Sequence, residues 1–135
     1  TIETRGIGVA MLTARLLNIP LVVIRREARV SEGSTISINY YSGSSDRIQK
    51  MSLAKRAIKP GSKAVIIDDF MRGGGSVKGM QDMLGEFESR SAGVGVVIAA
   101  GRNVQKNIGG YFPIFLYDDS SGKCEVKANP EVYGA

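Results

Sequence analysis

The sequence predicts an α/β fold: a mostly parallel twisted sheet flanked by helices, with a flexible β-arm or loop inserted into it. Three observations carry this. The apolar runs Leu21-Val22-Val23-Ile24, Val65-Ile66-Ile67 and residues 92–100 are rich in β-branched residues, as befits strands covered on both faces. Residues 7–17, 51–58 and 76–88 lie among those runs and read as helices by composition or by apolar spacing of 3 and 4. Strand and helix in alternation imply parallel strands joined by crossovers. At 135 residues and 43% hydrophobic content, the chain suits one domain over 1–135.

In the first helix, Ile7, Met11, Ala14 and the Leu16-Leu17 pair form an apolar stripe, Asn18 is a C-cap and Pro20 stops the element. Thr4, Arg5 and Gly6 therefore occupy the turn feeding a helix N-terminus, a favourable place for an anion. Arg25 and Arg26 end the 21–24 strand, either as contacts for a di-anion or as a solvated surface pair. Residues 27–49 are a polar excursion longer than ordinary connections, within which residues 34–41 alternate at strand period. Such excursions serve as lids or binding loops. Tyr40 and Tyr41 either stack on a base or pack across strands. Residues 51–58 form a short helix closed by Lys59-Pro60-Gly61, whose Lys50, Lys55, Arg56 and Lys59 are phosphate contacts or a solvated face. The methionines of the 76–88 helix fill the core. Residues 111–117 and 123–127 make two later strands around a turn at 118–122, with Cys124 a half-buried strand residue.

The stretch 65–79 organises the rest. Asp68 and Asp69 follow the apolar run at the carboxyl end of a strand, where ligands of open α/β sheets are read. Adjacent carboxylates need neutralisation, and a ribose diol or a hydrated Mg²⁺ supplies it. Gly73, Gly74 and Gly75 let successive N–H groups converge on an anion, and Ser76 is an N-cap for a helix beginning at Val77. A Walker A loop is excluded because no Gly-Lys-Ser/Thr ending follows. A dinucleotide fingerprint is excluded because the acids precede the glycines.

Composition narrows the chemistry further. Eighteen basic against 13 acidic residues give a net charge of +5, which suits a polyanionic ligand or a nucleic-acid surface. The absence of histidine removes His-based triads and most zinc sites, and no metal site is assigned. One cysteine leaves no internal disulfide and points to a reducing compartment. No apolar run approaches a membrane span, so a cytoplasmic protein without membrane contact is expected.

The string Asp68-Asp69-Phe70-Met71-Arg72-Gly73-Gly74-Gly75-Ser76 resembles the motif with which type I phosphoribosyltransferases bind 5-phosphoribosyl 1-pyrophosphate (PRPP). In that family two acids hold the ribose hydroxyls and the small-residue loop wraps the 5′-phosphate. The resemblance makes Glu3-Thr4-Arg5-Gly6 the pyrophosphate loop and the 27–49 excursion the loop that closes over the ligand. Residues 35–40, Ser42-Gly43-Ser44-Ser45 and Met51-Ser52-Leu53-Ala54-Lys55-Arg56 narrow it to the pur operon repressors of Gram-positive bacteria, with xanthine phosphoribosyltransferase as the nearest enzyme. That group implies a repressor of purine synthesis genes with PRPP, Mg²⁺-bound, as inducer and a guanosine alarmone as competing ligand. It further implies a homodimer, and operator DNA held by a winged-helix domain upstream of Thr1, the chain being truncated at its N-terminus. Several purine-using enzymes of the family place a carboxylate base three residues beyond the second acid, and other active members carry a small residue there. Here that position is Arg72, which cannot take a proton, so no catalytic residue is assigned. The alternative is an active transferase joining PRPP to a purine base.

Overall fold

A computed structural model of the chain describes residues 1–43, 45–100 and 108–134. Helix α1 (Gly6–Leu17) leads into an extended segment and a 3₁₀ turn (Val30–Glu32). The hairpin β1 (Thr35–Ser42) and β2 (Arg47–Ala54) follows, then β3 (Lys63–Met71), α2 (Gly75–Glu86), β4 (Arg90–Ala100), β5 (Phe112–Asp118), β6 (Glu125–Ala128) and α3 (Pro130–Tyr133). One sheet has the order β3-β4-β5-β6, its first three strands parallel and β6 antiparallel; the other is the β1-β2 hairpin. The expected mostly parallel α/β architecture is present.

Local chemistry explains most element ends. Asn18 closes α1 in the left-handed region at φ 53°, its N–H reaching back to the carbonyls of Ala14 and Arg15, as a C-cap asparagine does. α2 begins two residues earlier than the Ser76 cap implied. Gly74 is the N-cap at φ 77°, a conformation that favours glycine, and Ser76 lies inside the first turn.

Five further expectations need correction. The 51–58 segment is not a helix: its first four residues end β2, paired from Ala54 with Thr35 to Arg47 with Ser42. Burial decides this, because Met51, Ser52, Leu53 and Ala54 all face packed surroundings, and a four-residue apolar run carries no helical period to oppose it. The 21–24 run is not a regular strand; only Ile24 pairs, through a parallel bridge to Ile2, and Leu21 is exposed. Met11, Leu16 and Leu17 are also exposed, since α1 packs through the small residues Gly6, Ala10 and Ala14. Val65 is 42% exposed rather than covered on both faces, and Cys124 is exposed just ahead of β6.

The core joins both sheets and α2. Met51, Val77, Met80 and Met83 are fully buried, with Tyr40, Ile66, Val94 and Val96 around them. The hairpin is seated on α2 through two glycines. A Cβ at Gly75 would collide with the Tyr41 carbonyl oxygen, and one at Gly79 would lie 2.5 Å from Met51 Cε and 2.8 Å from Tyr40 Cβ. Met51→Ala should therefore destabilise the domain by ~2–5 kcal/mol through lost burial and the cavity left behind. Urea unfolding reads this as a lower midpoint at an unchanged slope.

Candidate functional site

The carboxyl end of β3, the Gly73–Gly75 loop and the turn before α1 meet around an open concavity. Thr4, Arg5, Gly6, Arg26 and every residue from Asp68 to Ser76 line it, as do Ile2, Glu3, Gly43 and Val77. Every predicted site residue except Arg25 thus comes together on one rim. The parallel Ile2–Ile24 bridge and the bonds from Glu3 N–H to Ile24 O (3.0 Å) and Ile24 N–H to Thr1 O (2.8 Å) hold the first turn in place. Gly6 is required there, for a Cβ would lie 2.5 Å from Thr1 Oγ1 and 3.1 Å from Asp68 Oδ1.

The two acids differ in environment. Asp68 is 7% exposed and accepts a hydrogen bond from the Asp69 N–H at 2.9 Å. Burial, opposed by that bond and reinforced by the adjacent Asp69 charge, pushes its carboxyl up to about 7. Asp69 is more open and pairs with Arg5 Nε at 3.1 Å. One rim therefore carries a buried carboxyl pushed up to about 7 beside a carboxylate paired with Arg5.

The remaining cations are also engaged. Arg25 pairs with Glu3 at 3.2 Å and Glu32 at 3.5 Å and is not among the residues lining the concavity. Arg26 donates its N–H to Glu3 Oε1 at 2.7 Å and its Nε–H to the Glu3 carbonyl at 3.2 Å while lining the rim. Glu3 is held below the usual carboxylate range, first by that backbone hydrogen bond. Arg72 reaches Asp119 in the β5-β6 turn at 3.4 Å. Phe70 meets Tyr117 edge to face with ring centres 5.8 Å apart.

Glu3 lines the rim as the resemblance to a pyrophosphate loop implied, whereas sequence reasoning did not assign Gly43 or Asp119 to the site. Gly43 had a signal, the Ser-Gly-Ser-Ser run, of which Ser44 lies outside the described residues. Asp119 had none, because only the fold brings the β5-β6 turn to Arg72. Among the described residues no three His, Cys, Asp or Glu side chains converge as a metal cage. No described helix is long and apolar enough to cross a membrane.

A backbone-and-hydroxyl loop behind paired acids is an arrangement suited to an anion beside a diol. The phosphoribosyl transferase domain family matches residues 1–123. The chain belongs to this family. Within it, the phosphoribosyltransferase domain described here is 54% identical over 100 residues to the purine biosynthesis transcriptional repressor PurR of Bacillus subtilis (strain 168). That match covers 74% of this chain and 35% of the relative. The purine biosynthesis transcriptional activator PurR of Lactococcus lactis subsp. lactis is 40% identical over 118 residues, 87% of this chain and 44% of that protein. Xanthine phosphoribosyltransferase of Oenococcus oeni is 33% identical over 99 residues, 73% of this chain and 48% of the enzyme. The chain thus spans less than half the length of each of these relatives. Adenine phosphoribosyltransferase of Rhodothermus marinus superposes with a TM-score of 0.70 over 85% of this chain and 65% of its own, at 19% identity, a likeness of fold.

Proposed function

We propose that this phosphoribosyltransferase domain is the PRPP-sensing part of a repressor of purine synthesis genes, and that it binds PRPP without consuming it. The observation that carries the reading is the rim where Asp68 and Asp69 stand beside the Gly73–Gly75 loop and the Thr4–Gly6 turn. Asp68 and Asp69 would accept from the ribose diol, residues 72–76 would hold the 5′-phosphate, and Thr4, Arg5 and Gly6 the pyrophosphate. The donor set fits Mg²⁺ as it travels with phosphates, since that ion keeps several waters and takes one or two carboxylates. Mg²⁺ would neutralise pyrophosphate charge beside Asp68 and Asp69.

Arg72 supports binding over transfer. A purine nitrogen attacking the ribose needs its proton taken or held, and Arg72 occupies the position after the acids where several purine-using enzymes carry a carboxylate. Its guanidinium suits phosphate instead. A guanosine alarmone presents the same phosphate chemistry and would compete for this rim. DNA contact belongs to an upstream winged-helix domain, and two copies of the protein would pair.

An active transferase is the second reading, favoured by the xanthine phosphoribosyltransferase likeness. Two assays on the whole protein separate them. At fixed salt, saturating PRPP with Mg²⁺ should weaken operator binding by about fivefold or more, a typical coupling between sites. Incubation with PRPP and adenine, guanine, hypoxanthine or xanthine should release no pyrophosphate above the protein-free rate. Operator affinity indifferent to PRPP overturns the sensor reading, and turnover with any base establishes the transferase.

A further inference from the structure

We propose that Gln49 is a positioning residue that couples the two ends of the PRPP site, so that occupancy of the pyrophosphate turn tightens the phosphate loop and the reverse. This rests on the PRPP reading above and adds a residue outside the rim.

Gln49 lies on β2, half-buried, at the centre of a polar chain that crosses the hairpin. Its Oε1 accepts from Tyr40 Oη at 2.9 Å and from Arg26 Nη1 at 3.4 Å. Its Nε2 donates to Ser45 Oγ at 3.0 Å. On one side, Arg26 is bonded twice to Glu3, the residue preceding the Thr4–Gly6 turn. On the other, the Tyr40 phenol lies close enough to the Ser76 hydroxyl to be favoured in its charged form by it, and Ser76 is the last residue of the loop assigned to phosphate. A hydrogen-bonded path thus runs from Glu3 through Arg26 and Gln49 to Tyr40, which stands beside Ser76.

The backbone repeats the connection. Arg25 and Ser52 exchange hydrogen bonds at 2.9 and 2.7 Å, tying β2 to the segment that carries Arg26. At the other end, Gly43 lies against Gly73, and the Tyr41 carbonyl closes over Gly75. The hairpin is therefore a strut seated on both anion-binding loops. A primary amide suits its centre because it accepts two bonds at its oxygen while donating through its nitrogen. Contiguous packed and hydrogen-bonded elements of this kind carry coupling between sites, and equilibrium coupling acts equally in both directions.

The test uses the whole protein with Mg²⁺ and two fragments of the ligand, pyrophosphate for the Thr4–Gly6 turn and ribose 5-phosphate for residues 72–76. Calorimetry measures each alone and each in the presence of the other. In the unaltered protein, each fragment should tighten the other by about fivefold or more. In Gln49→Leu the separate affinities should stay within about twofold, as for sites that share no partner, and the mutual tightening should vanish. Tyr40→Phe removes one hydroxyl from a retained ring and should do the same, which guards against a folding defect in the first variant. Gln49→Glu keeps the acceptor for Arg26 and Tyr40 and should preserve the tightening. Repulsion between the two anions is common to every variant and cancels. Undiminished tightening in both Gln49→Leu and Tyr40→Phe overturns the inference, as does independent binding in the unaltered protein. Failure of either fragment and of PRPP to bind removes the PRPP reading itself.

Discussion

Asp68→Ala with Asp69→Ala should lower PRPP affinity by about 10²- to 10⁴-fold. Each carboxylate is assigned a charge-assisted bond from the ribose diol, worth ~1.5–3 kcal/mol, and each 1.4 kcal/mol is a factor of ten. The fold should survive the double change. Asp69 makes its ion pair at the surface with an exposed arginine, a contact of little energetic weight, and Asp68 is a buried carboxyl whose ionisation is disfavoured. Calorimetric titration of PRPP with Mg²⁺, beside a circular dichroism melt, reads both quantities. A doubly substituted protein that folds and binds PRPP with unaltered affinity removes these acids from the ribose site. Arg5→Ala is a useful companion, because Arg5 holds Asp69 in the same rim and is assigned to the pyrophosphate end.

The second large effect is on stability against pH. Asp68 is raised from 3.8 to about 7 in the folded chain, with burial as the leading cause. Between those values the native state holds a proton that the unfolded chain has released, so ν_U − ν_N is negative and stability falls as pH rises. Over the whole interval the loss is on the order of 4 kcal/mol, three units at 1.36 each. Asp68→Asn removes the titration, and its side-chain oxygen can still accept from the Asp69 N–H. The variant should match the unaltered protein below pH 4 and exceed it at pH 8, by a melting temperature on the order of 10 °C higher. Parallel profiles from pH 4 to pH 8 would contradict the raised carboxyl. The same substitution should weaken PRPP, which would make Asp68 a residue kept for binding at a cost in stability.

How far the sequence discloses all this depends on the range of the forces involved. The 65–79 stretch was legible because its strand, acids and glycine turn are local signals, each with its own cause. The α1 C-cap was legible for the same reason, Asn18 being at home in the left-handed region. The β2 strand was not, since Met51 and Ser52 take their conformation from β1 and from Arg25, partners distant in the chain. α1 hid its inner face because the helix approaches the sheet through Gly6, Ala10 and Ala14, leaving larger apolar residues outside. A leucine stripe is the stronger hydrophobic signal, but small residues allow the closer approach.

In the site, the same division holds. Asp68 and Asp69 are neighbours in sequence and were found together. The Arg25-Arg26 pair reads as one feature, yet Arg26 lines the rim whereas Arg25 is turned into Glu3 and Glu32. Consecutive residues of an extended segment face opposite ways, and which one lines the rim depends on the bridge to Ser52. Asp119 and Gln49 required the folded chain, because their partners Arg72 and Arg26 lie 47 and 23 residues away.

The most direct measurement is a difference density map from crystals of the protein grown with PRPP and Mg²⁺. The ribose hydroxyls should lie within hydrogen-bond distance of Asp68 and Asp69, the 5′-phosphate over the backbone of residues 73–75, and the pyrophosphate against Thr4, Arg5 and Gly6. Intact PRPP seated elsewhere on the chain, with Asp69 still paired to Arg5 and the glycine loop unvisited, would contradict the account at its centre.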